Sequence, residues 1–500
     1  MRFKKSLIIL ALLIILLSIT TVSAIDNEDV QISEDNDQPL EEINADAITS
    51  TQEDILNAKA KGTFTQLQEI INLTPAGSTI NLDKDYSYDE GFDTKGIAIN
   101  KNLTINGNGH TLNGLSKSRI FLINFELNKN NKIVLNDIKI TNGYTDYYGG
   151  AILNFGNLTI TKCTFTNNRA KYCGGAIASI GHVEYKNSVF NKNTAIEGDG
   201  GAVLTVSLLK SIDYFINASS NIDITKDINS ILELILKKTI TLEKENVKSC
   251  TFKNNVAKGR GGGAIYAFGP IDITSSTFTS NKASSVGGAV FANKDLYIKN
   301  SKFNENSAKK YGGAVYFRCH EIGGNYVNGK WVSGTVTYYK CLIENSKFID
   351  NVAKARGGAI YGFRYNDSDK THGAKAVKCS FDDNLAKSGK HIYGGSKSKC
   401  TFKETTITLN KVTVKKSASK LVLTATLKKN SSPLKSKKIT FKFKGKTYTA
   451  KTNKKGVAKV TIKSSVLKNL KVGTQVGYKA SYKKTSVVTF TTKRTAIVKK

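Results

Sequence analysis

The chain has 500 residues, 74 of them Lys or Arg against 40 Asp or Glu, for a formal net charge of +34. With 41 Gly but only 4 Pro, and with Asn, Thr and Ile spread evenly, the composition points to repeated β structure with tight turns. Beyond the N-terminus no segment is long and apolar enough to span a bilayer as a helix.

Residues 1–24 read as a signal peptide. Arg2, Lys4 and Lys5 give a positive start, Ser6 to Leu17 is an apolar run of 12 residues, and Val22-Ser23-Ala24 offers small residues for cleavage. As a helix that run rises only ~18 Å, short of a ~30 Å hydrocarbon core. An uncleaved anchor is the competing reading, because the run can be extended to Ile25 through Ser and Thr. Residues 25–58 form an acidic spacer: 26–54 hold 11 acidic side chains and no basic one, the composition of a disordered segment.

From 59 to 404 the chain repeats. Thr63 to Leu73 reads first as an amphipathic capping helix, with Phe64, Leu67, Ile70 and Ile71 on one side and a Thr65-x-x-Gln68 capping box. Two strand–turn–strand units follow, Leu103–Gly114 and Ile133–Ile140. Then Gly-Gly-Ala recurs from Gly149, Gly174, Gly200, Gly262, Gly287, Gly312 and Gly357, at spacings of 25, 26, 62, 25, 25 and 45. A second motif, Phe-x-x-Asn-x-Ala, interleaves with it from Phe165, Phe190, Phe252, Phe278, Phe303, Phe348 and Phe381. A unit of short strands has no means of burying its apolar side alone, so the units must stack. Coiling each strand onto its equivalent one turn later gives a right-handed, single-stranded parallel β-helix with coils ~4.8 Å apart. Columns of Phe, Ile and Ala then fill the core, an Asn column forms an amide ladder, and the glycine pairs take a turn requiring positive φ. The two long spacings place insertions near 205–246 and 319–341.

Residues 405–500 lack these motifs and contain about seven alternating strands, among them Leu421–Ala425, Ile439–Phe443, Val457–Ile462 and Val487–Phe490, with Asn453-Lys-Lys-Gly456 as a hairpin turn. This predicts an Ig-like β-sandwich without an inter-sheet disulfide. From 408 to 500 there are 26 Lys or Arg and no acidic residue, which calls for an anionic partner. For an exported chain a wall polymer, glycan or lipid headgroup suits better than nucleic acid.

Four of the seven cysteines (Cys163, Cys250, Cys379 and Cys400) share one column with Ser188, Ser276, Ser301 and Ser346, two residues before each Phe, and read as small buried residues. Their spacing suits no zinc site. Cys319 and Cys341 flank an insertion that a disulfide would close. The five His are dispersed. Sequons begin at Asn72, Asn102, Asn157, Asn217, Asn366 and Asn430.

Three columns are candidate sites. After each glycine pair, inward Ile or Val predicts an outward neighbour. That column is Tyr266, Phe291, Tyr316, Tyr361 and Tyr393: either a solvent-facing strip for sugar rings or a ladder that stabilises the sheet. A basic column, Lys171, Lys258, Lys309, Lys354 and Lys387, is either an anion contact or a solvated ridge. Glu305, Asp350 and Asp383 follow each Phe by two and form a weak Ca²⁺ candidate; the same position holds Asn167, Lys192, Asn254 and Ser280 elsewhere, as a solvated turn would.

The paired Phe-x-x-Asn and Gly-Gly-Ala-Ile/Val motifs resemble the repeats of bacterial polymorphic outer-membrane proteins. The Asn102-Leu-Thr-Ile-Asn-Gly-Asn-Gly-His110 segment is similar to the opening coils of pectin-lyase-like β-helices. The whole layout, over about residues 60–496, looks like that of archaeal adhesin-like surface proteins with C-terminal bacterial-type Ig domains. The bacterial proteins end in a membrane barrel of which this chain has no counterpart, so autotransport is not implied. The resemblance implies an extracellular or cell-surface protein and says little about its ligand; the residues themselves offer no catalytic set and call for no cofactor, which together read as an adhesin-like protein. Its partner would be a wall polymer or a surface glycan, of a host or of a neighbouring cell, with membrane contact only through an uncleaved N-terminus. The alternative is a polysaccharide-active enzyme, since many such β-helices cleave acidic polysaccharides with clustered carboxylates. A binding module released to the medium is a third reading.

Overall fold

The computed structural model describes residues 61–125, 130–207, 242–327, 330–363 and 372–500, with backbone alone across 322–327 and 330–335. The signal peptide, the acidic spacer and most of the 205–246 insertion lie outside the described residues, as do Asn217 and Asn366.

Between 62 and 403 the chain winds into a parallel β-helix with sheets of 12, 11, 10 and 7 strands. Each strand pairs with its equivalent one coil on. In the longest sheet Phe165 pairs with Phe190, Phe190 with Phe252 and Phe252 with Phe278. The Phe190–Phe252 step makes the 62-residue interval a single coil with its excess looped out. Thr205 and Glu245–Asn246, expected inside that insertion, are strand residues of the coils on either side. The second excess is an antiparallel hairpin, His320–Val327 with Lys330–Tyr338. At its root Lys294, Glu321 and Tyr339 interlock by hydrogen bonds.

The core follows from which side chain each coil turns inward. Seven Phe rings, from Phe165 to Phe381, lie face to face at 4.7 to 5.2 Å, close to the coil rise itself. Beside them run buried Asn168, Asn193, Asn255, Asn281, Asn306, Asn351 and Asn384. In the first six, Asn Nδ2 donates to the Oδ1 of the next at 2.9 to 3.0 Å. The same Oδ1 also accepts a backbone N–H of the coil before, as Asn255 does from Asn193 N. The ladder therefore satisfies backbone groups at a corner where regular pairing lapses.

The two glycines of each pair do different work. The first takes positive φ, as at Gly287 (60°). The second has no room for a side chain: a Cβ on Gly288 would collide with Gly313 O in the next coil. The position two after each Phe is also left-handed, with φ between 52° and 57° at Asn167, Lys192, Asn254, Ser280, Glu305, Asp350 and Asp383. Asn and Asp tolerate that conformation best among side-chain-bearing residues.

A helix, α1 (Phe64–Leu73), closes the N-terminal end. Its capping box is Thr63 with Gln66, two residues earlier than the sequence suggested. Phe64, Leu67 and Ile71 are buried, whereas Ile70 is exposed. Gln68, outside the capping box, turns to the β-helix instead. Its amide accepts from Ala98 N (2.7 Å) and donates to Ala98 O (3.1 Å). Ala98 lies on Ile97–Ile99, the first strand of its sheet, so Gln68 pairs backbone that no further strand covers.

The last coil strand, Thr401–Lys403, is followed directly by the first strand of a β-sandwich, Thr405–Leu409. One sheet pairs Thr405–Leu409, Lys420–Lys429 and Val457–Lys463, with a short strand at Ser432–Pro433. The other orders Val412–Lys415, Thr489–Lys499, Gln475–Lys483, Lys438–Phe443 and Lys446–Lys451. The two packed sheets make a β-sandwich, the architecture that an Ig-like module would have. Leu423, Leu427, Ile439, Phe441, Ile462 and Val498 fill the space between them. The Asn453–Gly456 turn forms, with Gly456 at φ 73°. It joins strands of opposite sheets, however, and is a crossover rather than the expected hairpin.

Candidate functional surfaces

The aromatic column is in register as expected: Tyr266, Phe291, Tyr316, Tyr361 and Tyr393 pair in sequence. It does not form a solvent-facing strip. Tyr266, Phe291 and Tyr361 are only 5 to 6 % exposed, and Tyr316 and Tyr393 are half-buried. Residues just before the glycine pairs fold back over the strip. Tyr311 stacks on Tyr361 at 4.8 Å, and the Arg356 guanidinium lies 5.0 Å from the Tyr393 ring. Neighbouring rings also contact one another along the column, at 4.6 to 5.4 Å. The geometry is that of a packed ladder. Burial raises the hydroxyl pKa of Tyr266 and Tyr361 well above the usual range.

The basic column stays outside. Lys258, Lys309, Lys354 and Lys387 are exposed and Lys171 is half-buried, in contact with the Tyr172 ring. Ile196 and Ser284 interrupt it, leaving Lys309, Lys354 and Lys387 as neighbours in three successive coils.

The carboxylate column has a partner far along the chain. Lys484, in the sandwich, donates to Asp350 Oδ1 and Asp383 Oδ2, both at 2.6 Å. Lys429 donates to both oxygens of Asp382, at 2.7 and 2.9 Å. Thr405 Oγ1 donates to Asp383 Oδ2 at 2.8 Å. An ammonium therefore stands where the Ca²⁺ reading would put a cation, and Glu305 lies outside the cluster, half-buried beside Asn304. Burial raises the Asp350 carboxyl above the ordinary range. Asp383 is also desolvated, but Lys484 and Thr405 outweigh this and hold it below that range.

Cys319 and Cys341 are both free thiols, contrary to the expected disulfide. Cys341 occupies an inward position between Leu296 and Ala374, and the Cys319 thiol bonds Phe363 O of the next coil. In the mixed Cys/Ser column, Cys163 N and Cys250 N each donate to the next Ser Oγ at 3.1 Å. Desolvation pushes the Cys163 thiol up to about 12 and Cys250 to about 11, so neither is a nucleophile at neutral pH.

Two buried ionisable groups gave no signal in the sequence. Arg119 donates to Gly149 O, Lys95 O, Tyr148 O and Thr145 Oγ1, and desolvation lowers it to about 10. Glu245 replaces an apolar residue in an inward column, between Val183 and Ile271. It accepts from Val183 N at 3.0 Å and from the Ser207 hydroxyl, beside His182 and Glu243. Desolvation pushes it up to about 8. Both groups serve backbone and hydroxyl groups of the coil stack.

With this geometry in view, two family likenesses carry structural meaning. Residues 72–175 match the family described as "Putative pectate lyase-like adhesive domain". Residues 249–267, 275–293 and 300–318 each match the Chlamydia polymorphic membrane protein repeat. Each repeat match spans most of one coil, from the Phe strand to the strand after the glycine pair, as Thr251–Lys253 to Ile265–Ala267 does. The likenesses therefore support a surface adhesin-like protein built on stacked coils. No curated relative matches the chain.

Proposed function

We propose that this is a secreted, non-enzymatic adhesin-like protein of the cell surface. The β-helix is its rigid scaffold, and the basic sandwich is the module that meets an anionic wall polymer or surface glycan. The 12 strands of the longest sheet, stacked at ~4.8 Å, extend roughly 50 Å. The scaffold thus holds the sandwich a fixed distance from α1, which closes the other end of the stack.

The observation that carries this reading is the engagement of Asp350 and Asp383 by Lys484. The carboxylates that a hydrolytic or calcium-dependent site would draw on fix the sandwich to the end of the coil stack instead. The likeness to an adhesive domain and to surface-protein repeats supports the same conclusion.

The test is surface accessibility. Antibody raised against the sandwich should label intact cells of the native host, and mild external proteolysis should remove that label. Recovery of the chain only in the cytosol, protected until lysis, would overturn the reading.

A further inference from the structure

We propose that the outer face of the five-stranded sheet is a docking surface for a linear carboxylated polysaccharide. This rests on the surface-adhesin reading and narrows its anionic partner to one class.

The argument begins with register. Lys442 pairs with Lys479, and Lys479 with Lys493, so three adjacent strands carry a straight rank of lysines. Neighbours in such a rank stand ~4.8 Å apart at the backbone, and like charges directly opposite destabilise a sheet. Two residues along the strands, Thr449, Thr440, Ser481 and Thr491 form a parallel rank of hydroxyls. The Ser481 and Thr491 hydroxyls lie 3.0 Å apart. Two residues further, Lys438 and Lys451 pair to begin a second lysine rank. Lys442, Lys493, Lys438 and Lys451 are exposed and Lys479 is half-buried.

No residue of the sandwich neutralises these charges, since 405–500 contains no Asp or Glu. Among the described residues, no carboxylate lies within ion-pair distance of Lys442, Lys479 or Lys493. The module's other face toward acid behaves differently: Lys429 and Lys484 both meet carboxylates of the β-helix. Lysines that have a partner within the chain are matched to it, and the outer rank is left for a partner outside.

The pattern also selects the kind of anion. Lysine ranks four residues apart along a strand are separated by ~14 Å at the backbone, with a hydroxyl strip between them. A two-fold sugar ribbon laid along that strip offers its own hydroxyls to Thr and Ser, and its carboxylates, on alternating sides, to the two ranks. A polyphosphate would satisfy the lysines but leave the hydroxyl strip without a counterpart. The outer face of the opposite sheet has no such order. There Lys420 pairs with Lys463, but Val422 pairs with Thr461 and Lys459 with Thr424.

The experiment uses the full secreted chain and alginate, a linear polyuronate, as the probe, at two salt concentrations. Lys442→Gln/Lys479→Gln/Lys493→Gln is compared with Lys420→Gln/Lys459→Gln/Lys463→Gln, which removes the same charge from the other face. The first triple should weaken alginate binding on the order of tenfold, and the second by less than about twofold. Both variants should keep the parent's circular dichroism, because every substituted side chain points away from the sandwich core, Lys479 being half-buried and the others exposed. Equal losses in the two triples would reduce the effect to net charge and overturn the proposal. So would long-chain polyphosphate binding as tightly as alginate. If wild-type chain is retained on wall material but ignores alginate, the inference fails and the surface reading stands. If it is retained on neither, both fail.

Discussion

Lys484 Nζ lies 2.6 Å from Asp383 Oδ2, across 101 residues of chain, and the same ammonium is 2.6 Å from Asp350 Oδ1. Both carboxyl side chains are almost fully buried, at 0 % and 7 % exposure, and Lys484 is 21 % exposed. The contact fastens the sandwich loop between Gln475–Lys483 and Thr489–Lys499 to left-handed turns of the last two motif-bearing coils.

Removing the ammonium should separate the two units. Lys484→Met leaves two buried carboxylates close together and should lower stability by about 2–4 kcal/mol. Chemical denaturation followed by far-ultraviolet dichroism, together with scanning calorimetry, should change from one transition to two. Adding Asp383→Asn should restore part of the loss by relieving the repulsion. An unchanged single transition in Lys484→Met would show that the latch does not couple the units.

The same site fixes a response to acid. Asp383 has a folded pKa below its unfolded value, so its contribution is present above the ordinary carboxylate range and is lost as pH falls through the depressed folded value. Asp350 has the opposite sign, and its raised pKa favours the protonated folded form just above the ordinary value. The Asp350 contact should therefore weaken first as pH falls, while the Asp383 contact holds the interface closed through mildly acidic pH and is lost only below about pH 4. Small-angle scattering at falling pH would report that opening as an increase in radius of gyration; opening at pH 6 would contradict the assignment.

Glu245 gives a separate pH dependence within the β-helix. Its folded pKa of about 8 exceeds the unfolded value, so the unfolded carboxyl ionises first as pH rises. Stability contributed by the protonated form is full below pH 4.5 and is lost between there and about pH 8, by as much as about 5 kcal/mol. Glu245→Gln should flatten the slope of melting temperature against pH over that window. His182, Glu243 and Tyr185 face the same carboxyl, so the titration should be followed in His182→Gln as well. An unaltered slope in Glu245→Gln would place the dependence elsewhere.

The asparagine ladder should be as important as the phenylalanine stack. Asn255→Ala removes acceptors for Asn193 N and Nδ2 and donors to Phe190 O and Asn281 Oδ1. With several buried groups unpaired, a loss of about 2–4 kcal/mol is expected. Phe252→Ala, which opens a cavity in the stack, should cost about 3–5 kcal/mol. If Asn255→Ala costs under about 0.5 kcal/mol in urea denaturation, the ladder contributes nothing net.

The coil register is legible in the sequence because every coil repeats one residue per inward column. Phe, Asn and Gly-Gly recur in the same order in each motif-bearing coil, about 25 residues apart where no insertion intervenes, and so name their own neighbours. The burial of Tyr266, Phe291 and Tyr361 is not legible, for a physical reason. Strand alternation gives the direction of a side chain but not what lies above it, and here Tyr311 and Arg356 return over the outer face. Lys484 gives no signal as the partner of Asp383 because no local pattern links residues so far apart. Glu245 becomes visible as a core residue only when the insertion before it is looped out and its strand placed beside Val183. The capping box slips by two because both Thr63 and Thr65 suit an N-cap, and only the backbone distinguishes them.

On the proposed function, this chain holds an anionic surface polymer without cutting it. The most direct test is to incubate the full secreted chain with insoluble cell-wall material of its own source, at low and high salt. Bound protein and released oligosaccharide are measured from the same sample. Retention should fall steeply as salt rises, with no shortening of the polymer over hours. Failure to bind at low salt, or steady release of oligosaccharide fragments, would contradict it.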